Sequence, residues 1–175
     1  MKLSLSWIKD YVNIPEDADL KKLAYDLTMS TVEVEDVEDL ARRFDNMLVG
    51  VIEKIEPHPN ADRLRVCKVD IGGGEIKDIV CGGINLKEGM RVAVSCPGAV
   101  VRWHGEGEPV VIKNSKLRGV ESYGMICASD EIGLGELFPA EQEAEILDLS
   151  AFDVPAGTSL ADALDMNDIL LEIDN

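Results

Sequence analysis

The stretch MLVGVIEKIEPHPNADRLRVCKVDIGGGEIKDIVC, residues 47–81, contains three runs of strand length separated by two turns. The runs are rich in Val and Ile, which favour β-strands, and residues 57–60 and 72–74 supply turn-forming Pro, Asn and Gly. Two further runs follow at residues 90–96 (MRVAVSC) and 109–117 (PVVIKNSKL). Five strands in about 70 residues predict a small closed Greek-key barrel of the OB type. A fragment of a β-sandwich fits the same pattern.

Short helices and a strand precede the predicted barrel. Apolar residues at helical spacing predict two helices in the first 30 residues, on the faces formed by Trp7, Ile8, Tyr11 and Val12, and by Leu20, Leu23, Ala24 and Leu27. Pro15 separates them, and Asp17 or Asp19 is suited to cap the second. Residues 31–40 (TVEVEDVEDL) alternate Val with acids, which predicts an exposed edge strand.

The C-terminal part alternates short predicted helices and strands. Residues 128–134 and 158–164 favour helices, the second capped by Thr158 or Ser159, whereas residues 143–149 and 168–175 favour strands. These segments are too short to bury a core alone, so we expect them to pair with the N-terminal segment. The predicted organisation is a split α+β domain, residues 1–40 plus 150–175, with the barrel, residues 41–149, inserted in it. We expect the split domain to lack its final pieces.

Composition indicates a globular chain with reduced cysteines. Of the 175 residues, 46% are hydrophobic and 29% charged, and no apolar run approaches the length of a membrane span. The start, MKLSLSWIKDYV, lacks the apolar core of a signal peptide, so we expect a cytoplasmic protein without a membrane partner. Cys67, Cys81, Cys96 and Cys127 form no CxxC pair, which favours buried thiols over zinc ligands or disulfides.

The net charge of −17 is unevenly distributed. Residues 1–41 hold 4 basic and 10 acidic side chains, residues 42–120 hold 13 and 10, and residues 121–175 hold 0 and 14. Phosphate neutralisation by Lys and Arg supplies most non-specific affinity for nucleic acid. The middle block is therefore the candidate for such a partner, and the acidic tail has the simpler interpretation of a solvated face.

The sequence lacks the patterns of catalytic and metal sites. Its two histidines, His58 and His104, lie 46 residues apart without HxxxH or HExxH spacing, so we expect no metal. No serine lies in a GxSxG elbow, and the glycines at 72–74 lack the GK[ST] of a phosphate loop. We expect no catalytic site, and we attribute His58, which precedes Pro59, to turn geometry alone.

Basic residues in and after the quoted stretch are the remaining candidates for a binding site. They are Arg63, Arg65 and Lys68, then Lys113, Lys116 and Arg118. Strand alternation predicts that Arg63 and Arg65 point outward while Leu64 and Val66 point to the core. The alternative is that these cations are ordinary solvated surface. Because aromatic residues make up only 5% of the chain, the pattern favours recognition of a folded RNA backbone over stacking of a single strand.

Four stretches of the sequence carry a resemblance to a known family. Residues 58–72 (HPNADRLRVCKVDIG), 79–94 (IVCGGINLKEGMRVAV) and 112–134 (IKNSKLRGVESYGMICASDEIGL) resemble the tRNA-binding OB domain of several tRNA-binding proteins and synthetases. Residues 1–38, with the pattern KxSxxWIKxYV followed by a helix and TxxxxEV, resemble the start of the bacterial phenylalanyl-tRNA synthetase beta subunit. The resemblance extends through essentially the whole chain.

The resemblance implies a non-catalytic N-terminal part of a longer subunit that takes part in protein biosynthesis. In this ligase family two alpha and two beta subunits assemble, and charging of tRNA with phenylalanine uses ATP and magnesium. The resemblance places that chemistry outside this chain, so we expect no cofactor in it, with tRNA and the alpha subunit as partners. Two alternatives remain: a protein-interaction module without RNA contact, and a stand-alone tRNA-binding protein.

The resemblance also implies a set of tRNA-binding residues. Positions that match the family motifs are Asn60, Arg63, Arg118 and Ser122, and the pattern of basic residues adds Arg65, Lys68 and Lys116 as further candidates. Arginine and lysine neutralise phosphate, and Asn60 and Ser122 can hydrogen-bond phosphate or loop backbone. Met125, in the same motif, is expected to pack in the barrel.

Overall fold

The computed structural model describes residues 1–174, which form two compact units. One unit combines Met1–Arg42 with the described residues from Met166 onward, and the other is Arg43–Asp165. The helices are α1 (Leu5–Lys9), α2 (Leu20–Ser30) and α3 (Leu160–Ala163). The strands are β1 (Lys2–Ser4), β2 (Val34–Asp39), β3 (Met47–Pro57), β4 (Arg65–Asp70), β5 (Ile76–Cys81), β6 (Arg91–Ser95), β7 (Val100–Val101), β8 (Val110–Val111), β9 (Ser115–Leu117), β10 (Val120–Ser122), β11 (Met125–Ile126) and β12 (Ile169–Ile173).

The larger unit is the predicted barrel. Its five-stranded antiparallel sheet has the order β11-β6-β3-β4-β5, and β3, the longest strand, pairs with both β4 and β6. Its buried core consists of Ile52, Cys67, Val69, Ile79, Cys81, Met90, Val92, Val94, Ile126 and Ile146. The mixed α+β class with an OB-type barrel inserted between the two segments of the small unit is thereby confirmed.

A seam between β5 and the junction of β10 with β11 closes the sheet into a barrel. The Tyr123 amide donates to the Asp78 carbonyl at 2.9 Å, and the Val80 amide donates to the Ser122 hydroxyl at 3.0 Å. Ser122 in turn donates to the Gly124 carbonyl at 3.0 Å. A Cβ at Gly124 would lie 2.4 Å from the Ser95 carbonyl oxygen, so only glycine fits there. Residues 122–125 (SYGM) therefore close the barrel.

The fifth barrel strand lies later in the chain than the sequence predicts. Residues 109–117 form two separate short strands, β8, which pairs with β7, and β9, which pairs with β10. The barrel is completed instead by β11, whose Met125 and Ile126 pair with Ser95 and Val94. Residues 143–149 form no strand in the described structure beyond a single bridge of Asp148 to Val92.

The barrel unit extends past the predicted boundary at residue 149. The Gly157 amide donates to the Val49 carbonyl, and the Val49 amide donates to the Thr158 carbonyl, both at 2.8 Å. Leu160, at the start of α3, is fully buried, and Ser159 caps this helix by accepting from the Asp162 amide. Residues 157–160 are thus attached to β3 by hydrogen bonds and burial that the local pattern does not reveal.

The smaller unit is a three-stranded antiparallel sheet with the order β1-β12-β2. Its core consists of buried Leu5, Leu171 and Ile173, against which partly buried residues of α2 and β2 pack. Asp19 caps α2 by accepting from the amides of Lys21 and Lys22. The predicted edge strand is confirmed as β2, which lies at one side of the sheet.

The first helix is shorter than predicted, and its expected apolar face is largely exposed. Helix α1 ends at Lys9, and its only buried residue is Leu5. Trp7 and Tyr11 are 74% and 89% exposed. The helical spacing of these aromatic residues therefore does not correspond to burial within this unit. None of the helices in residues 1–174 has the length and apolar character needed to cross a membrane.

All four cysteines are free thiols, as the sequence predicts. Cys67, Cys81 and Cys127 are buried, and burial raises the pKa of Cys67 and Cys127 to about 12 and that of Cys81 to about 11. A thiol of this kind stays protonated at neutral pH and behaves as a small apolar side chain.

Replacement of Ser122 tests the seam. Ser122→Ala should lower the free energy of unfolding by about 1–3 kcal/mol, because the buried Val80 amide loses its acceptor. Ser115 is the register partner of Ser122 across the hairpin and is exposed, so Ser115→Ala should change stability by less than about 0.5 kcal/mol. Urea denaturation measures both. Equal effects of the two substitutions would contradict a closing role for Ser122.

Candidate functional site

The HPNADRL loop, residues 58–64, joins β3 to β4 and is organised around His58. This side chain is only 6% exposed. Its Nδ1 accepts from the Asn60 amide at 3.0 Å, and its Nε2 lies 3.0 Å from the Leu117 carbonyl oxygen. Because Nδ1 is an acceptor, the proton of the neutral ring is on Nε2, which donates to that carbonyl. Turn geometry alone was therefore the wrong explanation of His58, whose imidazole connects two loops.

Asn60 makes the second connection between the same loops. Its side-chain Nδ2 donates to the Arg118 carbonyl at 2.9 Å. His58 and Asn60 thus bind the consecutive carbonyls of Leu117 and Arg118, an arrangement that we call the clasp. The clasp holds the HPNADRL loop against the hairpin of β9 and β10. In an OB-type barrel these positions correspond to the loop between the first two strands and the loop between the last two, which commonly bind oligonucleotides.

The tip of the hairpin consists of Arg118 and Gly119. Both have positive φ, 46° and 96°, as in the two-residue type I′ turn that joins antiparallel strands. A residue with a Cβ pays about 1 kcal/mol for this conformation, and Gly119 avoids that cost. The clasp bonds offset the strain at Arg118 and fix the hairpin tip, from which the exposed Arg118 side chain extends.

Three cations on the two clasped segments make no ion pair within residues 1–174. Arg63 follows Asn60 in the loop, and Lys116 and Arg118 lie on the hairpin. All three side chains are exposed. We call Arg63, Lys116 and Arg118 the basic set. Glu121 is the register partner of Lys116 but makes no ion pair with it, so the three charged groups are exposed and available to an anionic partner.

Four other cations of the barrel unit are paired with acids, whereas Lys87, Arg102 and Lys113 make no ion pair within residues 1–174. The pairs are Lys54 with Glu56, Lys68 with Asp78, Lys77 with Glu75, and Arg91 with Asp153. The hydrogen bond to Asp78 and the charge of that carboxylate raise the pKa of Lys68. Lys68 was among the predicted site residues, and the structure places it in a cross-strand pair on β4 and β5 instead of with the basic set.

Arg65 lies at the start of β4, and its guanidinium folds back onto its own loop. Nη1 donates to the carbonyls of Asp62 and Leu64 at 3.1 and 3.0 Å. Arg65 is exposed and Val66 is buried, as the alternation predicts, but it is Cys67 and Val69 that belong to the barrel core, and Val66 lies on the opposite side of the strand. Arg65 therefore shares the side of Cys67, at the end of the strand where the barrel core no longer continues.

Ser122, another predicted site residue, is only 1% exposed. Its hydroxyl accepts from Val80 and donates to Gly124 within the seam, so it has no group directed at solvent. The side chain of Asn60, although exposed, donates to the protein backbone. These two polar residues hold the loops by bonds within the protein, whereas the side chains of the basic set are exposed. Residues 1–174 contain no cluster of three or more His, Cys, Asp or Glu side chains suited to a metal ion.

Two substitutions test the clasp. His58→Ala should lower the free energy of unfolding by about 2 kcal/mol, since two hydrogen bonds are lost, and Asn60→Ala by about 1 kcal/mol. Asn114→Ala, on an exposed side chain just before β9, is the matched control and should have little effect. Urea denaturation gives the stabilities. If Asn60→Ala is no more destabilising than Asn114→Ala, the clasp does not hold the hairpin.

The chain is similar to a known protein family and to several curated proteins. A family model described as "Putative tRNA binding domain" matches residues 47–159. Phenylalanine–tRNA ligase beta subunits from Prochlorococcus marinus and Coxiella burnetii are 40% and 42% identical over 174 residues, 99% of this chain. The beta subunit from Cupriavidus pinatubonensis is 43% identical over 169 residues, or 96% of the chain. Each match covers 20% of the relative, so the chain spans about one fifth of the length of these curated relatives.

The family match includes the barrel strands, the clasp and the seam. It begins at Met47, the first residue of β3, and runs to Ser159, which caps α3. It covers more than half of the chain. The chain therefore belongs to the family described as tRNA binding domains.

Proposed function

We propose that the barrel binds tRNA as an auxiliary, non-catalytic module of a phenylalanine–tRNA ligase beta subunit. The observation that carries this proposal is the basic set, Arg63, Lys116 and Arg118, whose charges lack acidic partners within residues 1–174. Family membership and the similarity to beta subunits support it. Arginine and lysine on fixed loops are the usual groups for phosphate contact.

The basic set suits a folded RNA backbone better than a sequence of stacked bases. Backbone contacts need cations in a fixed arrangement, and the clasp supplies that arrangement for Arg63 and Arg118. A binding mode of this kind is electrostatic and weakens steeply with salt. The acidic remainder of the chain, with its net charge of −17, limits the affinity by repelling RNA from other surfaces.

The same proposal assigns roles to the predicted site residues. Arg63, Lys116 and Arg118 contact phosphate, whereas Asn60 and Ser122 position the loops that carry them. Arg65 and Lys68 contribute weaker, longer-range attraction, because one is folded onto backbone carbonyls and the other is paired with Asp78. A protein-interaction module without RNA contact would favour pairing of these cations with the flanking acids, and the basic set does not follow that pattern.

The proposal extends to the assembly in which the chain works. We infer a cytoplasmic enzyme of protein biosynthesis in which an alpha subunit, as part of a heterotetramer of two alpha and two beta subunits, charges tRNA with phenylalanine using ATP and magnesium. Support comes from the beta-subunit relatives, of which this chain spans one fifth. We also propose that the small split unit and the barrel are separate domains. Reading the genomic frame beyond Asn175 distinguishes this subunit from a stand-alone tRNA-binding protein.

Binding of labelled tRNA at increasing salt tests the proposal. Arg63→Ala and Arg118→Ala should each weaken binding roughly threefold to tenfold at low salt and reduce the slope of log affinity against log salt by about one, since each removes one phosphate contact. Lys54→Ala, which removes a cation already paired with Glu56, is the charge-matched control and should change the affinity much less. Fluorescence anisotropy measures the affinities.

Two outcomes would overturn the proposal. One is the absence of tRNA binding even at low salt. The other is an equal effect of Lys54→Ala and Arg118→Ala, which would show that net charge alone, and not the clasped cations, determines the affinity.

A further inference from the structure

A groove next to the basic set is lined by aromatic, apolar and acidic side chains as well as by lysines. It has a volume of about 640 Å³ and lies between β5 and the hairpin of β9 and β10. Its lining consists of Ile76, Lys77, Asp78, Asn114, Ser115, Lys116, Glu121, Ser122 and Tyr123. We call it the Tyr123 groove. Its volume is within the range of sites that hold a small molecule or one nucleotide, about 300–1,000 Å³.

Tyr123 gives the groove a fixed aromatic wall. Its backbone amide is bound to the Asp78 carbonyl in the seam, and its side chain packs partly against the barrel core. The Lys77 ammonium lies 5.0 Å from the centre of the Tyr123 ring and also pairs with Glu75 at 2.8 Å. Ile76, 54% exposed, adds an apolar surface nearby. A planar, partly apolar ligand has a surface to contact here.

The polar lining favours a nucleobase over a phosphate group. Two carboxylates, Asp78 and Glu121, line the groove and would repel an anion. Glu121 is the register partner of Lys116 on the hairpin. Carboxylates accept hydrogen bonds from the exocyclic amino groups of bases, as Glu and Asp do from N4 of cytosine. Lys116, which makes no ion pair, lines the same groove and can attract a phosphate next to the base.

We propose that the Tyr123 groove binds one unpaired nucleobase that carries an exocyclic amino group, with the ring against Tyr123 and the amino group at Glu121 or Asp78. The inference rests on the proposed function, because the occupant is an unpaired nucleotide of the bound RNA. Continuity supports it: Lys116 belongs to both the groove and the basic set. The basic set then binds the phosphates of the RNA backbone, and the groove selects the base.

Oligocytidine and oligouridine octamers test the base preference. Cytosine and uracil have nearly the same shape, but cytosine has an amino donor where uracil has a carbonyl acceptor. The wild-type chain should bind the cytidine octamer several-fold more tightly at low salt, and Glu121→Gln should reduce that ratio. Tyr123→Leu should weaken binding of both octamers roughly tenfold, whereas Tyr123→Phe, which keeps the ring, should not. Glu108→Gln, an exposed acid outside the groove, is the matched control.

The binding results distinguish base selection by the Tyr123 groove from tRNA binding by the barrel. If tRNA binding depends on Arg63 and Arg118 but the octamers bind equally, or if Glu121→Gln behaves like Glu108→Gln, the groove does not select a base and the proposed function stands. If neither tRNA nor the octamers bind at low salt, both proposals are wrong. Circular dichroism of Tyr123→Leu and Tyr123→Phe checks that the barrel remains folded, and a loss of binding with Tyr123→Phe as well would contradict the role of the aromatic ring.

Discussion

The hydrogen bond from the Val80 amide to the Ser122 hydroxyl is the interaction on which the barrel and its candidate site both depend. It joins β5 to the segment that ends the barrel, together with the bond from the Tyr123 amide to the Asp78 carbonyl. The same segment begins with the hairpin of β9 and β10, which the clasp holds at its other end through His58 and Asn60. A hairpin fixed at both ends presents Lys116 and Arg118 in one arrangement, so little ordering entropy is lost when a ligand binds.

Cations in the strands of the barrel differ from those on the clasped segments in their ion pairs. Lys54, Lys68 and Lys77 are compensated by neighbouring acids, whereas the three cations on the clasped segments are not. Lys87, Arg102 and Lys113 of the barrel unit also make no ion pair within residues 1–174, so what distinguishes the three cations of the basic set is their position on the clasped segments. They create a limited positive surface at the loops where OB-type barrels bind oligonucleotides. We propose that the acidic remainder restricts RNA to that surface.

The sequence predicts the fold class well because barrel strands such as MLVGVIEKI and LRVCKVDI have strong local preferences and clear turns between them. It misplaces the fifth strand, because PVVIKNSKL has strand composition, whereas the short β11 is defined by its pairing with Ser95 and by the need for glycine at 124. The position of Ser122 and the role of His58 also depend on partners 42 and 59 residues away in sequence, which local pattern cannot reveal. The sequence does contain one indication of the role of His58: no other metal ligand accompanies it in its motif, which favours an imidazole that bonds the protein backbone. The bonds of the Arg65 guanidinium to the Asp62 and Leu64 carbonyls likewise depend on the folded loop and not on strand alternation.

The central claim is that the two clasped segments are the surface that meets tRNA. Titration of the ¹⁵N-labelled chain with tRNA at low salt, followed by two-dimensional NMR, tests it most directly. The account predicts that chemical shift changes and line broadening concentrate in residues 58–65 and 114–123 and disappear as salt is raised. Changes centred elsewhere on the barrel or in the small unit, or no changes at low salt, would contradict it.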